Sequence, residues 1–386
     1  MNIPIYRTVA GQKFPEGSLA KADLRWRIAA TMENEARDYA QDLLDNGFVL
    51  QQLRVIDSEY PYDKNLFYWF YKGEISVFVF YDASKHTTFI TAEPKGDLPS
   101  NEKVAAGAYT PSVTQLSVAG MGYVIRLADG AFICVDGGHA KNDADEKLYE
   151  FLRANTADEK PKIALWVFTH AHEDHIEAAA AFLKKYREKV EVAAFAYQFA
   201  DLEKATPSMN DFDIVEIRKW EESLRLYPNA KKYALHTGQS YYFSGVEMEV
   251  LYSLDNTYPS AYCSINNMSA AVRFKFDGGK TFIALGDCMS DNCRDMAHTY
   301  GDYLKSDILQ VTHHGLIGGD RFLYEKIDAE ICLWASNEER FLGTAKMAYQ
   351  WCLGEGGCSY NAYLRDESVK KRTHYHAGKT ITIEIR

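Results

Sequence analysis

The segment Thr169–Ile176 reads T-H-A-H-E-D-H-I and places three imidazoles and a carboxylate, those of His170, His172, Asp174 and His175, within six residues. Imidazole nitrogen and carboxylate oxygen suit Zn²⁺ and neighbouring divalent ions. The chain carries 11 histidines in 386 residues, so three of them in six positions is a poor fit to chance. His170 and His172 are one residue apart and point the same way in an extended segment. Asp174 and His175 are adjacent and diverge unless a turn reorients them. One such loop can serve one ion with the first pair and a second ion with the next. The alternative is a polar surface turn that happens to be rich in histidine.

Other candidates stand at the ends of apolar runs. Asp287 closes T-F-I-A-L-G-D and presents a carboxylate at the edge of a core, although Gly-Asp after a strand is also ordinary turn chemistry. His313 and His314 end D-I-L-Q-V-T-H-H-G, where a strand again delivers its last residues to a loop. Asp136, in F-I-C-V-D-G-G, either orients a ligand histidine or caps its own turn. His236 lies in L-H-T-G and is a ligand or a structural turn residue. His139, His374 and His376 are left over, as phosphate contacts, proton donors or plain surface.

These residues need strands to carry them. Ile163–Phe168 is a nearly all-apolar run, as expected of a strand buried on both faces, and Glu177–Tyr186 reads as the helix that follows the histidine turn. Met121–Leu127 and Ala131–Val135 form a hairpin around Asp129-Gly130. Further strands are expected at Val192–Phe195, Ser240–Phe243, Val246–Leu251, Ser269–Phe276, Thr281–Leu285, Ile308–Val311, Ile331–Trp334 and Thr380–Ile385. Helices are expected near Lys147–Arg153, Asp211–Leu224, Asp291–Leu304 and Thr344–Cys352. Strands alternating with helices point to sheets covered by helices.

Residues 1–108 read as a small unit of their own. Asp23–Asn46 has helical character with a stop at Asn46-Gly47, and strands follow at Leu50–Ile56, Leu66–Tyr71, Ile75–Tyr81 and Thr87–Ala92. This is an α+β pattern. Glu93–Ser112, rich in Pro, Gly, Ser and Lys, serves as the linker to residues 109–386.

Composition narrows the class. A net charge of −11 disfavours nonspecific binding to nucleic acid. No stretch approaches the roughly 18 apolar residues of a spanning helix, and Met1–Gly17 lacks the pattern of a signal peptide. A soluble cytoplasmic protein is the expectation. The seven cysteines show no C-x-x-C spacing, so neither a disulfide framework nor a zinc knuckle is expected.

T-H-A-H-E-D-H-I matches the H-x-H-x-D-H motif of the metallo-β-lactamase superfamily, and the other motifs follow in that superfamily's order. The resemblance covers roughly Tyr109 to Arg386. Asn266-Asn267-Met268-Ser269, L-G-D and T-H-H-G look most like the branch that holds the soluble domain of DNA-uptake competence proteins and the phosphorylcholine esterases. The resemblance implies an αββα sandwich with two metal ions at one edge, Zn²⁺ or else Mn²⁺ or Fe²⁺. His170 and His172 would hold the first, and Asp174, His175 and one of His313 and His314 the second. Asp287 would bridge both, and Asp174 and Asp287 would be the catalytic carboxylates. A hydroxide between the ions would attack phosphorus or a carbonyl carbon. The superfamily usually supplies a third histidine to the first ion from the interval before Asp287. Here that interval holds only His236, which precedes a hairpin instead of following it. Without it, the first ion would have two histidines plus water or an amide oxygen, for which Asn267 is a candidate.

Three functions are consistent with these residues. The leading one is a hydrolase of a small phosphodiester or phosphoester, with a nuclease as a less favoured sub-case. The second is acyl hydrolysis of a lactone, thioester or lactam at the same site. The third is a non-catalytic binding protein with a degenerate metal site.

Overall fold

The structure is a computed structural model that describes residues 3, 6, 12–13, 24–59, 63–199, 211–257, 265–342 and 359–386. The expected helix Thr344–Cys352 lies outside the described residues.

Two mixed sheets face each other. In one, the strands run in the order Lys231–Ala234, Ala194–Tyr197, Lys162–Val167, Phe132–Val135, Tyr123–Arg126, Ser112–Gln115 and Ile381–Glu384. In the other, the order is Ser240–Phe243, Val246–Tyr252, Ala271–Phe276, Thr281–Ala284, Ile308–Gln310, Ile331–Trp334 and Thr373–His376. Each sheet is parallel on one side and antiparallel on the other.

The alternation of side chains along each strand sorts residues into layers. Tyr123, Ile125, Ile133, Leu165 and Val167 meet Met248, Val250, Phe274, Phe282 and Leu333 in the core between the sheets. The opposite face of the first sheet gives Phe132, Trp166 and Phe195 to a core shared with Leu148, Phe182 and Trp220. These three come from helices Ala144–Ala154, Glu173–Lys185 and Asp211–Leu224. The opposite face of the second sheet packs Leu251, Leu309 and Cys332 on Met296, Tyr300 and Leu323, from helices Ser290–Tyr300 and Arg321–Ile327. The layering is α–β–β–α, and the fold class is α+β.

A third sheet of six strands is built entirely from residues 12–94, in the order Gln12–Lys13, Leu24–Ala29, Thr87–Pro94, Ile75–Asp82, Lys64–Lys72, Val49–Asp57. Helix Glu33–Asp45 covers one face with Ala36, Tyr39, Ala40 and Leu43. The other face sends Phe67, Phe80 and Phe89 into the core around Tyr300. The aromatic run Phe67–Tyr71 is therefore packed on both faces. The expected helix over Asp23–Asn46 is corrected at its start. Leu24–Ala29 is a strand paired with Thr87–Pro94, and the helix begins at Glu33. A sheet edge with free backbone groups outweighs a weak helical propensity.

Polar contacts seat this sheet. Asn65 Nδ2 donates to Thr299 O at 2.7 Å, and Gln52 exchanges hydrogen bonds with the Ser240 backbone. Arg54 pairs with Glu249, which also holds Arg273 and Lys275. Among the described residues no helix is long and apolar enough to cross a membrane.

Candidate metal centre

Four strand ends converge at one edge of the sandwich. Phe132–Val135 runs parallel to Lys162–Val167, so Asp136 and Thr169 emerge side by side. Thr281–Ala284 runs parallel to Ile308–Gln310, which brings Asp287 beside His313 and His314. The two edges are tied together, since Ala270 N donates to Thr169 O at 2.8 Å and Asp287 N to Ser269 Oγ at 3.1 Å.

The histidine motif is split between two conformations. His172 is the extended residue before helix Glu173–Lys185, so Asp174 and His175 lie in its first turn. The helix starts four residues before its expected position. A carboxylate in a first turn is favoured by the helix dipole. Helical geometry supplies the turn that swings Asp174 and His175 away from His170 and His172.

Two groups of possible ligand atoms result. His170, His172 and Asp287 form one, and Asp174, His175 and His314 the other, with the atoms of each group within 4.8 Å of one another. Asp287 spans them. Its Oδ2 lies 3.7 Å from His170 Nε2 and 3.5 Å from His314 Nε2, and its Oδ1 lies 3.4 Å from His175 Nε2. His314 Nε2 is also 3.1 Å from Asp174 Oδ2.

The far side of each imidazole in the second group is anchored. Asp136 Oδ2 accepts from His175 Nδ1 at 2.8 Å, and the same carboxylate accepts from Thr169 N and Thr169 Oγ1, both at 2.8 Å. The Asp136 side chain thus holds His175 and Thr169. His314 Nδ1 donates to Ala335 O at 3.0 Å. These bonds place the protons on Nδ1 and turn Nε2 toward Asp287. The backbone contributes as well. His313 and His314 both adopt left-handed conformations, with φ of 49° and 56°, which cost non-glycine residues on the order of 1 kcal/mol each. That turn aims both rings at Asp287, with His313 Nε2 3.7 Å from Oδ2.

The charged groups of the site act strongly on one another. Burial alone would raise the Asp287 carboxyl, but His314, His175 and His313 outweigh it and hold it well below the ordinary range. Burial works against charge on His314 too, and Asp287 and Asp174 override it, pushing it up to about 10. Burial and the neighbouring His175 hold His170 low. His175 Nε2, His314 Nε2 and Asp287 Oδ1 are buried without a hydrogen-bond partner among the described residues. Buried polar atoms of this kind are normally satisfied. Six convergent N and O donors with orphaned atoms fit divalent cations.

Other expected residues belong to neither group. His236 is corrected as a ligand candidate. Its Nδ1 faces Asp255 Oδ2 at 2.7 Å and its Nε2 faces Glu93 Oε1 at 2.9 Å, so neither nitrogen is open to an ion. It stacks on Phe78 and belongs to the seat of the N-terminal sheet. His374 belongs to neither group. It lies in strand Thr373–His376, and its Nδ1 accepts from Trp334 Nε1 at 3.1 Å. Asn267 sits in the short turn Ile265–Met268, with its side-chain oxygen buried and without a partner among the described residues.

A cleft of about 480 Å³ opens beside Asp174. Its walls include Ser117, His139, Lys141, Lys147 and Ser336. Its cationic lining is scattered through the sequence, where spacing gives no sign of it.

No protein-family model matches the sequence, and no curated protein does. Solved structures similar to it include the metallo-β-lactamase fold protein YhfI from Bacillus subtilis, at 15% identity over 71% of this chain and 100% of that one, with a TM-score of 0.41. CmlA, a diiron β-hydroxylase from Streptomyces venezuelae, is 13% identical over 76% of this chain and 55% of its own, with a TM-score of 0.44. Unliganded yeast PDE1 is 12% identical over 72% of this chain and 100% of that one, with a TM-score of 0.42. The α+β class and the αββα layering stand on this chain's own sheet order and cores.

Proposed function

We propose that this chain is a metal-dependent hydrolase of a small phosphodiester or phosphoester. The observation that carries the reading is the pair of three-ligand clusters with Asp287 spanning them. In this reading His170, His172 and Asp287 hold one divalent ion, with His313 completing its ligands from the left-handed turn. Asp174, His175, His314 and Asp287 hold the other. Two such ions lower the pKa of bound water from about 15.7 to about 7 and stabilise the attacking and leaving oxygens of a displacement.

The protein's own groups prepare that chemistry. Asp136 and the Ala335 carbonyl keep the Nδ1 protons of His175 and His314 in place and fix the ring planes. Asp174, whose side chain is 30% exposed, is the ligand that meets the cleft, so substrate would approach from its side. The phosphoester class is supported by the N-N-x-S, G-D and H-H-G resemblance. Residues 109–386 form the catalytic unit in this reading, with residues 1–108 docked on it.

Hydrolysis of bis-p-nitrophenyl phosphate with Zn²⁺ or Mn²⁺, alongside metal analysis of the same protein, is the test. Two ions per chain and turnover are expected. Two bound ions without turnover would refute the phosphodiesterase assignment, and far less than one ion per chain would refute the metal centre itself.

A further inference from the structure

Ser336 follows strand Ile331–Trp334 and is only 6% exposed, yet its Oγ has no hydrogen-bond partner among the described residues. A buried hydroxyl left unpaired is destabilising, so such groups are normally satisfied. This one lines the cleft beside Asp174.

Two ammonium groups share that cleft. Lys141 comes from the loop after strand Phe132–Val135, and its side chain has no protein partner among the described residues. Lys147 comes from helix Ala144–Ala154, and its Nζ donates to Ser117 O at 3.1 Å, which holds it over the cleft. His139, on the same wall, faces Glu177. In a chain of net charge −11, this cavity is lined by two lysines and an unpaired hydroxyl, with Asp174 as the carboxylate at its metal-cluster end. Ammonium and hydroxyl donors recognise oxyanions.

The contiguity of this cavity with Asp174 sets what it would hold. A substrate ester at the metal cluster leaves about 480 Å³ beside it, far more than a single phosphate needs. We propose that the cleft is a subsite for a second anionic group of the substrate, held by Ser336 Oγ and the ammoniums of Lys141 and Lys147. The substrate class is then a phosphoester that carries a further phosphate or carboxylate. As a statement about substrate this rests on the hydrolase reading, but the anion site itself is testable without turnover.

The test is titration calorimetry on the full chain as purified, with methylenediphosphonate, phosphonoacetate and methylphosphonate as probes. The wild type is expected to prefer at least one of the two probes with a second anionic group over methylphosphonate. That preference is expected to fall by roughly tenfold or more in Ser336→Ala and Lys141→Met, the scale of a charge-assisted hydrogen bond. Preference for methylenediphosphonate assigns phosphate as the second group, and preference for phosphonoacetate assigns carboxylate. Unfolding midpoints of both variants near wild type show that the fold is intact. Equal binding of all three probes by the wild type overturns the subsite, as does a preference that survives in both variants. If the preference behaves as expected but bis-p-nitrophenyl phosphate is not hydrolysed, the hydrolase reading falls and the anion site stands. If the diester is hydrolysed but the preference is unchanged in both variants, the anion site falls and the hydrolase reading stands.

Discussion

His236 offers the sharpest test of how the N-terminal sheet is held. It is fully buried between Asp255 and Glu93, and Arg25 pairs with Asp255 from the other side at 2.8 Å. Burial opposes charge on this imidazole, but Asp255 and Glu93 outweigh it and push its pKa up to about 9. A folded-state value above the unfolded value of about 6.5 stabilises the fold while the proton is bound. That stabilisation is complete below about pH 6.5 and is lost as pH rises through about 9. A difference of about 2.5 pKa units corresponds to about 3 kcal/mol. In a chain of this size that is about 3–6 °C in melting temperature. His236→Gln cannot carry the charge. Its melting temperature is expected to lie below wild type by that amount at pH 6, with the gap closing toward pH 9.5. Thermal unfolding followed by circular dichroism at half-unit pH steps measures this directly. A gap that stays constant from pH 6 to 9.5 would refute the charged-latch argument. Bound metal should be unchanged in the variant, and loss of an ion would make His236 a ligand after all.

Other outcomes follow from the same contacts. Asp136→Ala removes the acceptor for His175 Nδ1 and Thr169 and should weaken metal binding by about 10–100-fold, measured by equilibrium dialysis. Asp287→Ala removes the group that spans both clusters, so metal content and bis-p-nitrophenyl phosphate turnover should fall together, and further than in Asp136→Ala. Glu249→Gln strips the counter-charge from Arg54, Arg273 and Lys275 and should destabilise the chain by about 3–5 kcal/mol, read from urea unfolding. Gly120 has φ of +81°, and a Cβ there would fall 2.1 Å from Asp174 O. Gly120→Ala should therefore displace the first turn of helix Glu173–Lys185, which lower metal occupancy in soluble protein would reveal.

Much of the sandwich was legible because buried strands announce themselves. Ile163–Phe168 and Ile331–Trp334 are apolar at nearly every position, and the structure places them in sheet interiors within a residue of their expected ends. Strands whose fate depends on a distant partner were not legible. Leu24–Ala29 carries two arginines in six residues and reads as helix, and only pairing with Thr87–Pro94, roughly sixty residues away along the chain, makes it a strand.

The same division runs through the site. The sequence by itself determined which residues are grouped as possible metal ligands, because four ligand-type side chains on one short segment cannot be separated by folding. It also placed Asp287, His313 and His314 at strand ends, where apolar runs must give way to loops. Tertiary structure alone decided how they are shared. Sheet register sets Asp287 between the two clusters, the left-handed turn sends His314 to one and aims His313 at Asp287, and helix Glu173–Lys185 divides the motif at His172. It also withdrew His236, which local spacing could not exclude, because the partners that neutralise it lie on a separate sheet and on the far side of a hairpin. Lys141, Lys147 and Ser336 span almost two hundred positions, and they line one cleft only because a helix and loops from both sheets open at the same edge. Spacing along a chain fixes distances within a turn or two of backbone, and beyond that range the packing of the cores does.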